Sequence, residues 1–246
     1  MSECSCATEQ RDARLERVTV LTNEQLTTGV GLITLQAPAI AAAVQPGQFI
    51  HLRVSEGRDF ILRRPFSVHR SRGERIELLF QVLGDGTLAL AQKESGDTMD
   101  AIGPLGTGWC VPEGVEHALL VGGGLGAAPL GMLTEELASR GVATTVALGA
   151  PASDRLVGLE LFEASARVVE IATDDGSTGE RGFVTVLTER LLAEHDFDVV
   201  CVCGPEIMER TVARQAHDAS VPCRVSLERL MACGIGACLS LSLIHI

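Results

Sequence analysis

The sequence predicts two domains of different class in tandem, an antiparallel β-barrel or sandwich and then a Rossmann-like α/β domain on a parallel sheet. Three observations carry this. Up to about Met99 short β-rich runs are broken by turn residues. From His117 apolar strands alternate with amphipathic helical patterns, the order of a sheet covered on both faces. Between them "GPLGTGWCVPEG" follows neither period, which places a linker at 112–115 and divides the chain into 1–112, 113–225 and a last segment, 226–246.

In the first half the expected strands are "RVTVLTNEQL", "VGLITLQAP", "GQFIHLRV", "RPFSVHR" and "RIELLFQVLG", separated by Pro-Gly, Glu-Gly and Arg-Gly. One short helix is expected in "GTLALAQKE": Leu88, Leu90 and Ala91 share a face, and Gly86-Thr87 opens it. In the second half the strands are "HALLVGGG", "ATTVALGA", "RVVEIATDDG" and "DVVCVCGP". The helices are "APLGMLTEELASRG", "VTVLTERLLAE" and "IMERTVARQAHDA".

The 246 residues, 46% of them hydrophobic, suffice for a substantial core. With 20 Lys and Arg against 32 Asp and Glu the net charge is −12, which argues against nucleic acid or an anionic membrane as the main partner. The start, "MSECSCATEQRDARLERV", has no apolar run behind a basic stretch, and nothing approaches the roughly 20 apolar residues of a membrane span. A cytoplasmic protein is expected, so its eight cysteines point to metal, redox chemistry or burial before disulfides.

Three stretches bear chemistry. In "ALLVGGGLGAAPLGM" a buried strand runs into Gly122, Gly123, Gly124 and Gly126 ahead of a helix. Backbone amides and the positive helix end can there meet a pyrophosphate; the same glycines also suit a tight turn with no ligand. In "DVVCVCGPEIM" the Cys203 thiol, followed by Gly204 and Pro205, ends a strand where ligands gather and can border a nicotinamide ring. Cys201 reads as a small buried residue, as Cys203 also could. In "ILRRPFSVHR" Arg64 offers a guanidinium fork for a phosphate, Pro65 a fixed φ, Phe66 a ring to back a planar group and Ser67 a hydroxyl, with Gly86 and Thr87 a second phosphate contact. Alternatively Arg63, Arg64 and Arg70 only blunt an edge strand.

In order, Arg-Pro-Phe-Ser, Gly-Asp-Gly-Thr, Gly-Pro-Leu-Gly, Gly-Gly-Gly-Leu-Gly-Ala-Ala-Pro, Thr-Asp-Asp-Gly-Ser and Cys-Gly-Pro resemble the ferredoxin reductase superfamily from about Leu15 to Cys238. Within it "SLERLMACGIGAC" is similar to the electron-transfer subunits of NAD-dependent, two-subunit dihydroorotate dehydrogenases. The resemblance implies an FAD-binding β-barrel domain, an NAD-binding α/β domain and a C-terminal 2Fe–2S segment. It also implies a partner, a catalytic FMN-containing subunit with the orotate site, in a heterotetramer serving pyrimidine biosynthesis. Carried over, it assigns Arg64, Pro65, Phe66, Ser67, Gly86 and Thr87 to the flavin. Gly122, Gly123, Gly124, Gly126, Asp174, Asp175, Gly204 and Pro205 go to the dinucleotide, with Cys203 at the nicotinamide. Arg155 could meet a 2′-phosphate, yet the resemblance implies NAD.

Family members hold their cluster with Cys-x4-Cys-x2-Cys and a fourth cysteine further on. Cys233 and Cys238 match the first interval, but Leu241 stands at the third position, and the tail "LSLSLIHI" loses the composition before it. The expectation is a truncated cluster segment, diverging after about Leu239, with an incomplete ligand set that Cys4 and Cys6 do not repair. The alternatives are a flavin reductase subunit of a ferredoxin-NADP or sulfide-linked complex, expected nearer "DGTGMCG" than "ACGIGAC", and a non-catalytic flavin-binding module.

Overall fold

The computed structural model describes residues 13–55, 61–227 and 231–235. These fall into two compact units, one running to Gly108 and including 231–235, the other Trp109–Leu227.

The first unit contains β1 (Arg14–Thr27), β2 (Val30–Gln36), α1 (Pro38–Ala41), β3 (Phe49–Arg53), β4 (Arg64–Ser67), β5 (Arg70–Arg72), β6 (Arg75–Gln81), α2 (Asp85–Ala91) and β7 (Thr98–Leu105). The strands form one antiparallel sheet in the order β4-β3-β7-β1-β2-β6-β5. Alternation explains which face is buried: Val18 and Val20, Ile33 and Leu35, Ile50 and Leu52 are fully buried at every second position. The sheet curls. Phe66 from the edge strand β4 meets Phe80 of β6 edge-on at 6.3 Å, and His69 donates its N–H to the Glu77 carbonyl at 2.9 Å, so one margin turns back toward the other. Of barrel and sandwich, the curled barrel is the one formed.

Strand β7 was absent from the expected elements, although it lies between β1 and β3. Its sequence, "TMDAIGPL", hides it, because Asp100 and the Gly103-Pro104 pair interrupt the apolar alternation. Helix α2 begins at Asp85 with Gly84 as cap, one residue ahead of the expected Gly86. Thr87 explains the shift: its Oγ1 accepts from the Leu83 and Gly84 amides at 2.9 and 3.1 Å, satisfying donors ahead of the first turn. Asn23 of β1 fixes the other end of α2 by donating to the Leu90 and Lys93 carbonyls.

The second unit contains β8 (His117–Gly123), a 3-10 helix (Gly124–Leu130), α3 (Gly131–Ser139), β9 (Ala143–Ala150), α4 (Leu159–Ser165), β10 (Val168–Thr173), β11 (Glu180–Arg181), α5 (Val184–Glu194), β12 (Val199–Cys203), α6 (Glu206–Asp218) and β13 (Cys223–Val225). Its parallel sheet has the order β11-β10-β9-β8-β12-β13. Successive residues of β8 bury on opposite faces. Ala118 and Leu120 join Leu133, Leu137 and Phe162, whereas Leu119 and Val121 join Leu187, Leu191 and Val212. Both faces are therefore covered, as the unbroken apolar strands require. At the entry of β8, the Asp198 carboxylate accepts from the Glu116 and His117 amides, each at 2.8 Å. Among the described residues, no helix is long and apolar enough to cross a membrane.

Candidate functional site

The order of the parallel sheet locates a ligand edge. From β8 the chain moves outward to β9, β10 and β11, then returns to place β12 on the other side of β8. The carboxyl ends of β8 and β12 thus flank a topological switch point, where ligands of open α/β sheets bind. The glycine loop leaves β8 there, and Cys203-Gly204-Pro205 leaves β12.

The four glycines of the loop differ in what confines them. A Cβ on Gly126 would overlap the Cys203 carbonyl oxygen and fall 2.7 Å from the Gly204 Cα; one on Gly123 would overlap Met208. At Gly122 it would stand 3.2 Å from the Ala127 Cα. Backbone packing requires Gly126 to lack a side chain, while at Gly122 and Gly123 a Cβ would press tightly on its neighbours. Gly124 is different: its φ is +56° and nothing lies within 4 Å of its missing Cβ. The loop therefore leaves open space beside the one glycine that turns left-handed. It continues as a 3-10 helix through Pro129, and the α-helix expected directly behind the glycines starts only at Gly131, since Pro129 supplies no amide hydrogen.

Cys203 is buried, 1% exposed, and so is Cys201 beside it. Burial pushes the Cys201 thiol up to about 12, aided by neighbouring Cys223, whose own thiol burial raises to about 11, so the thiolate is disfavoured in both. Asp174 and Asp175 are exposed after β10, with β9 between them and the glycine loop. Hydrogen bonds from the Ser177 hydroxyl and amide hold the Asp175 carboxyl below its usual range. The Ser177 hydroxyl in turn accepts from the Ser153 amide at 2.8 Å, joining this loop to the one after β9.

On the barrel unit, Arg64, Pro65, Phe66 and Ser67 make up β4 itself. The Arg64 guanidinium lies over α2: a Cβ on Gly86 would be 3.0 Å from its Nε, so the missing side chain seats the cation. Its Nη1 donates to the Leu62 carbonyl. Pro65 is exposed, Ser67 half-buried opposite Phe49, and Phe66 is buried against Phe80. Thr87 is engaged in opening the helix.

Cys233 is half-buried; Cys238 and Leu241, like Cys4 and Cys6, lie outside the described residues. Among the described residues no three His, Cys, Asp or Glu side chains converge as a metal-binding group. Gly234, at φ +67°, rests on the His51 ring, where a Cβ would stand 2.7 Å from Cε1 and Nε2. His51 is fully buried with neither ring nitrogen hydrogen-bonded, and burial, then Arg63, lowers its pKa. Arg53, two residues on and so on the same face of β3, also has a buried Nε without a partner.

Dihydroorotate dehydrogenase B (NAD(+)) electron transfer subunits are similar to the chain over most of its length. That of Desulforamulus reducens is 42% identical over 207 residues, 83% of this chain and 79% of the relative. That of Bacillus caldolyticus is 39% identical over 229 residues, 91% and 86%. The chain belongs to this family of electron transfer subunits. No protein-family model matches it. A solved NADH-dependent reduced ferredoxin-NADP oxidoreductase, described for flavin-based electron bifurcation, superimposes at TM-score 0.82 with 31% identity over 89% of this chain and 79% of that one. A ferredoxin NADP+ reductase from Neisseria gonorrhoeae, solved with bound FAD and NADP, shares the fold at TM-score 0.71 and 17% identity, covering 88% of this chain and 100% of that one.

Sequence reasoning missed two buried polar groups near these motifs. His51 alternates with the core residues Ile50 and Leu52 yet is fully buried, with Gly234 resting on its ring and Phe49 5.7 Å from it between ring centroids. Glu209 is 3% exposed on α6, and its spacing to Val212 and Ala216 put it on the helix's apolar stripe, a legible signal.

Proposed function

We propose that this chain is the NADH-oxidising flavoprotein subunit of an NAD-dependent dihydroorotate dehydrogenase, passing electrons to a catalytic FMN-containing partner in a heterotetramer. The observation that carries the reading is the glycine loop at the switch point, open at Gly124 and closed by packing at its other glycines. Gly122, Gly123, Gly124 and Gly126 would receive the dinucleotide pyrophosphate on backbone amides, with Gly204 and Pro205 beside it, Cys203 at the nicotinamide end, and Asp174 and Asp175 further along the same sheet edge, beyond β9.

On the barrel unit Arg64 would hold a flavin phosphate; Gly86 leaves its guanidinium room, and Thr87 shapes the adjoining turn. Ser67 would offer its hydroxyl to the ring system, while Pro65 and Phe66 stiffen the strand that presents both groups. FAD, when bound, accepts two electrons together and can release them singly. Cys233 and Cys238 would supply two of the four thiolates that a 2Fe–2S centre takes, while Leu241 offers no donor at the third spacing. Cys233, Cys238 and Leu241 do not by themselves make the ligand set of such a cluster.

The likeness to the ferredoxin-NADP oxidoreductase at 31% identity favours a second reading, a flavin reductase subunit serving ferredoxin. The test is anaerobic. The purified chain is expected to release FAD on denaturation and, before that, to lose its flavin absorbance on adding NADH. Flavin that stays oxidised would leave only a binding module. Reduced chain that reoxidises with ferredoxin, and not with a catalytic dihydroorotate dehydrogenase subunit, would favour the second reading.

A further inference from the structure

Glu209 is a buried carboxylate with no place in the function described above. Burying a carboxyl group costs free energy unless it is hydrogen-bonded, so the bonds it makes point to its work, and one of them is defined. The Oε1 atom accepts from the Gly204 amide at 3.1 Å. That N–H belongs to the Cys203–Gly204 peptide, whose carbonyl oxygen is the atom against which Gly126 must lack a Cβ. One peptide unit is thus held from two directions, by the carboxylate on its N–H and by the glycine loop against its carbonyl. The carboxylate also stands in the first turn of α6, a helix of 13 residues whose N-terminal dipole favours an anion.

We propose that Glu209 is a positioning residue for the dinucleotide site: it fixes the rotation of the Cys203–Gly204 peptide, and so the register between the Cys203 turn and the glycine loop. It touches no substrate. With its acceptor gone the peptide can turn, the Cys203 carbonyl leaves its seat on Gly126, and the nicotinamide end of a bound dinucleotide loses its fixed wall while the pyrophosphate keeps its amides. Alignment suffers more than affinity. This rests on the reading of Cys203 to Pro205 as the nicotinamide side of the site.

The experiment is anaerobic stopped-flow reduction of the flavin by NADH, in the parent and in Glu209→Leu, Glu209→Gln and Glu209→Asp. Glu209→Leu removes the acceptor at similar volume, Glu209→Gln keeps an acceptor oxygen without charge, and Glu209→Asp keeps the charge but shortens the arm. The limiting rate is expected to fall about tenfold to a hundredfold in Glu209→Leu and Glu209→Asp, the order a misplacement near 1 Å produces, with apparent NADH affinity within about threefold. Glu209→Gln is expected to recover most of the rate, and the long-wavelength nicotinamide–flavin charge-transfer band should weaken in step with it. If Glu209→Leu does not fold, Glu209→Asp against Glu209→Gln decides alone. Unchanged rates in both Leu and Asp variants, or rate and affinity falling together, overturn the proposal. A parent that NADH does not reduce overturns the nicotinamide reading beneath it.

Discussion

The glycine loop of the α/β unit and the described residues around Cys233 in the barrel unit both carry a glycine at positive φ, yet their surroundings differ. At Gly122, Gly123 and Gly126 a neighbour crowds the backbone: Ala127, Met208, or the Cys203 peptide whose Gly204 amide Glu209 accepts from. Beside Cys233, Gly234 rests on the His51 imidazole, which keeps both nitrogens without partners. The first is a finished cradle with one open position. The second has hydrogen-bonding capacity unspent, a cost on the order of 1–3 kcal/mol for a buried group. On the proposed reading, the fold itself would build the dinucleotide site, whereas the loop carrying Cys233 would be completed by what its thiol holds.

The largest expected effect breaks the first cradle. Gly126→Ala forces a methyl into the Cys203 carbonyl, and the cost is expected at about 3 kcal/mol or more, read as a large drop in denaturant midpoint together with lost NADH reduction. Next comes the flavin. Arg64→Ala removes the cation lying over Gly86, and FAD affinity is expected to fall by about 2–5 kcal/mol, measured as flavin retained per chain after dialysis. Unchanged occupancy would detach Arg64 from the flavin.

The cysteine loop is sharpened by iron analysis. After anaerobic reconstitution with iron and sulfide this polypeptide is expected to hold well under two iron per chain, because Leu241 supplies no ligand, and its reduced EPR signal should be weak. A full signal would mean that other residues complete the set.

The smallest effect is one of pH. Burial lowers the His117 pKa in the folded chain, so its stabilisation is present above the unfolded value near 6.5 and is lost as pH falls below it. Asp198, held low by the His117 and Glu116 amides, acts in the same direction further into the acid range: its contribution is complete above the ordinary carboxylate range and disappears as pH falls through its depressed value. Unfolding midpoints measured from pH 7.5 to 5.5 should decline, and less steeply in His117→Gln. Equal slopes would remove His117 from the account.

The sequence made the α/β unit legible because its strands are buried on both faces and read as unbroken apolar runs, with glycines marking where they stop. What escaped was what depends on distant chain. Strand β7 forms around Asp100 and Gly103-Pro104 because β1 and β3 supply its ladder partners on both sides, which local alternation does not reveal. Helix α4 and strand β13 are short pieces whose burial comes from the sheet they meet. The burial of His51 between Ile50 and Leu52 depends on distant chain, Gly234 among it. The motif residues were readable as types in order, but the distinction between Gly124 and its three neighbours was not, since packing alone separates them.

That distinction gives the most direct test. Gly124→Val projects into open space, so it is expected to cost stability only through its positive φ, on the order of 1–2 kcal/mol, and to leave FAD bound. Mixed anaerobically with NADH, the parent should bleach its flavin and Gly124→Val should not, or only at NADH concentrations raised by orders of magnitude. A folded, flavin-loaded Gly124→Val protein that NADH reduces as readily as the parent would show that the loop is a turn and no more, and would contradict the dinucleotide site on which the account depends.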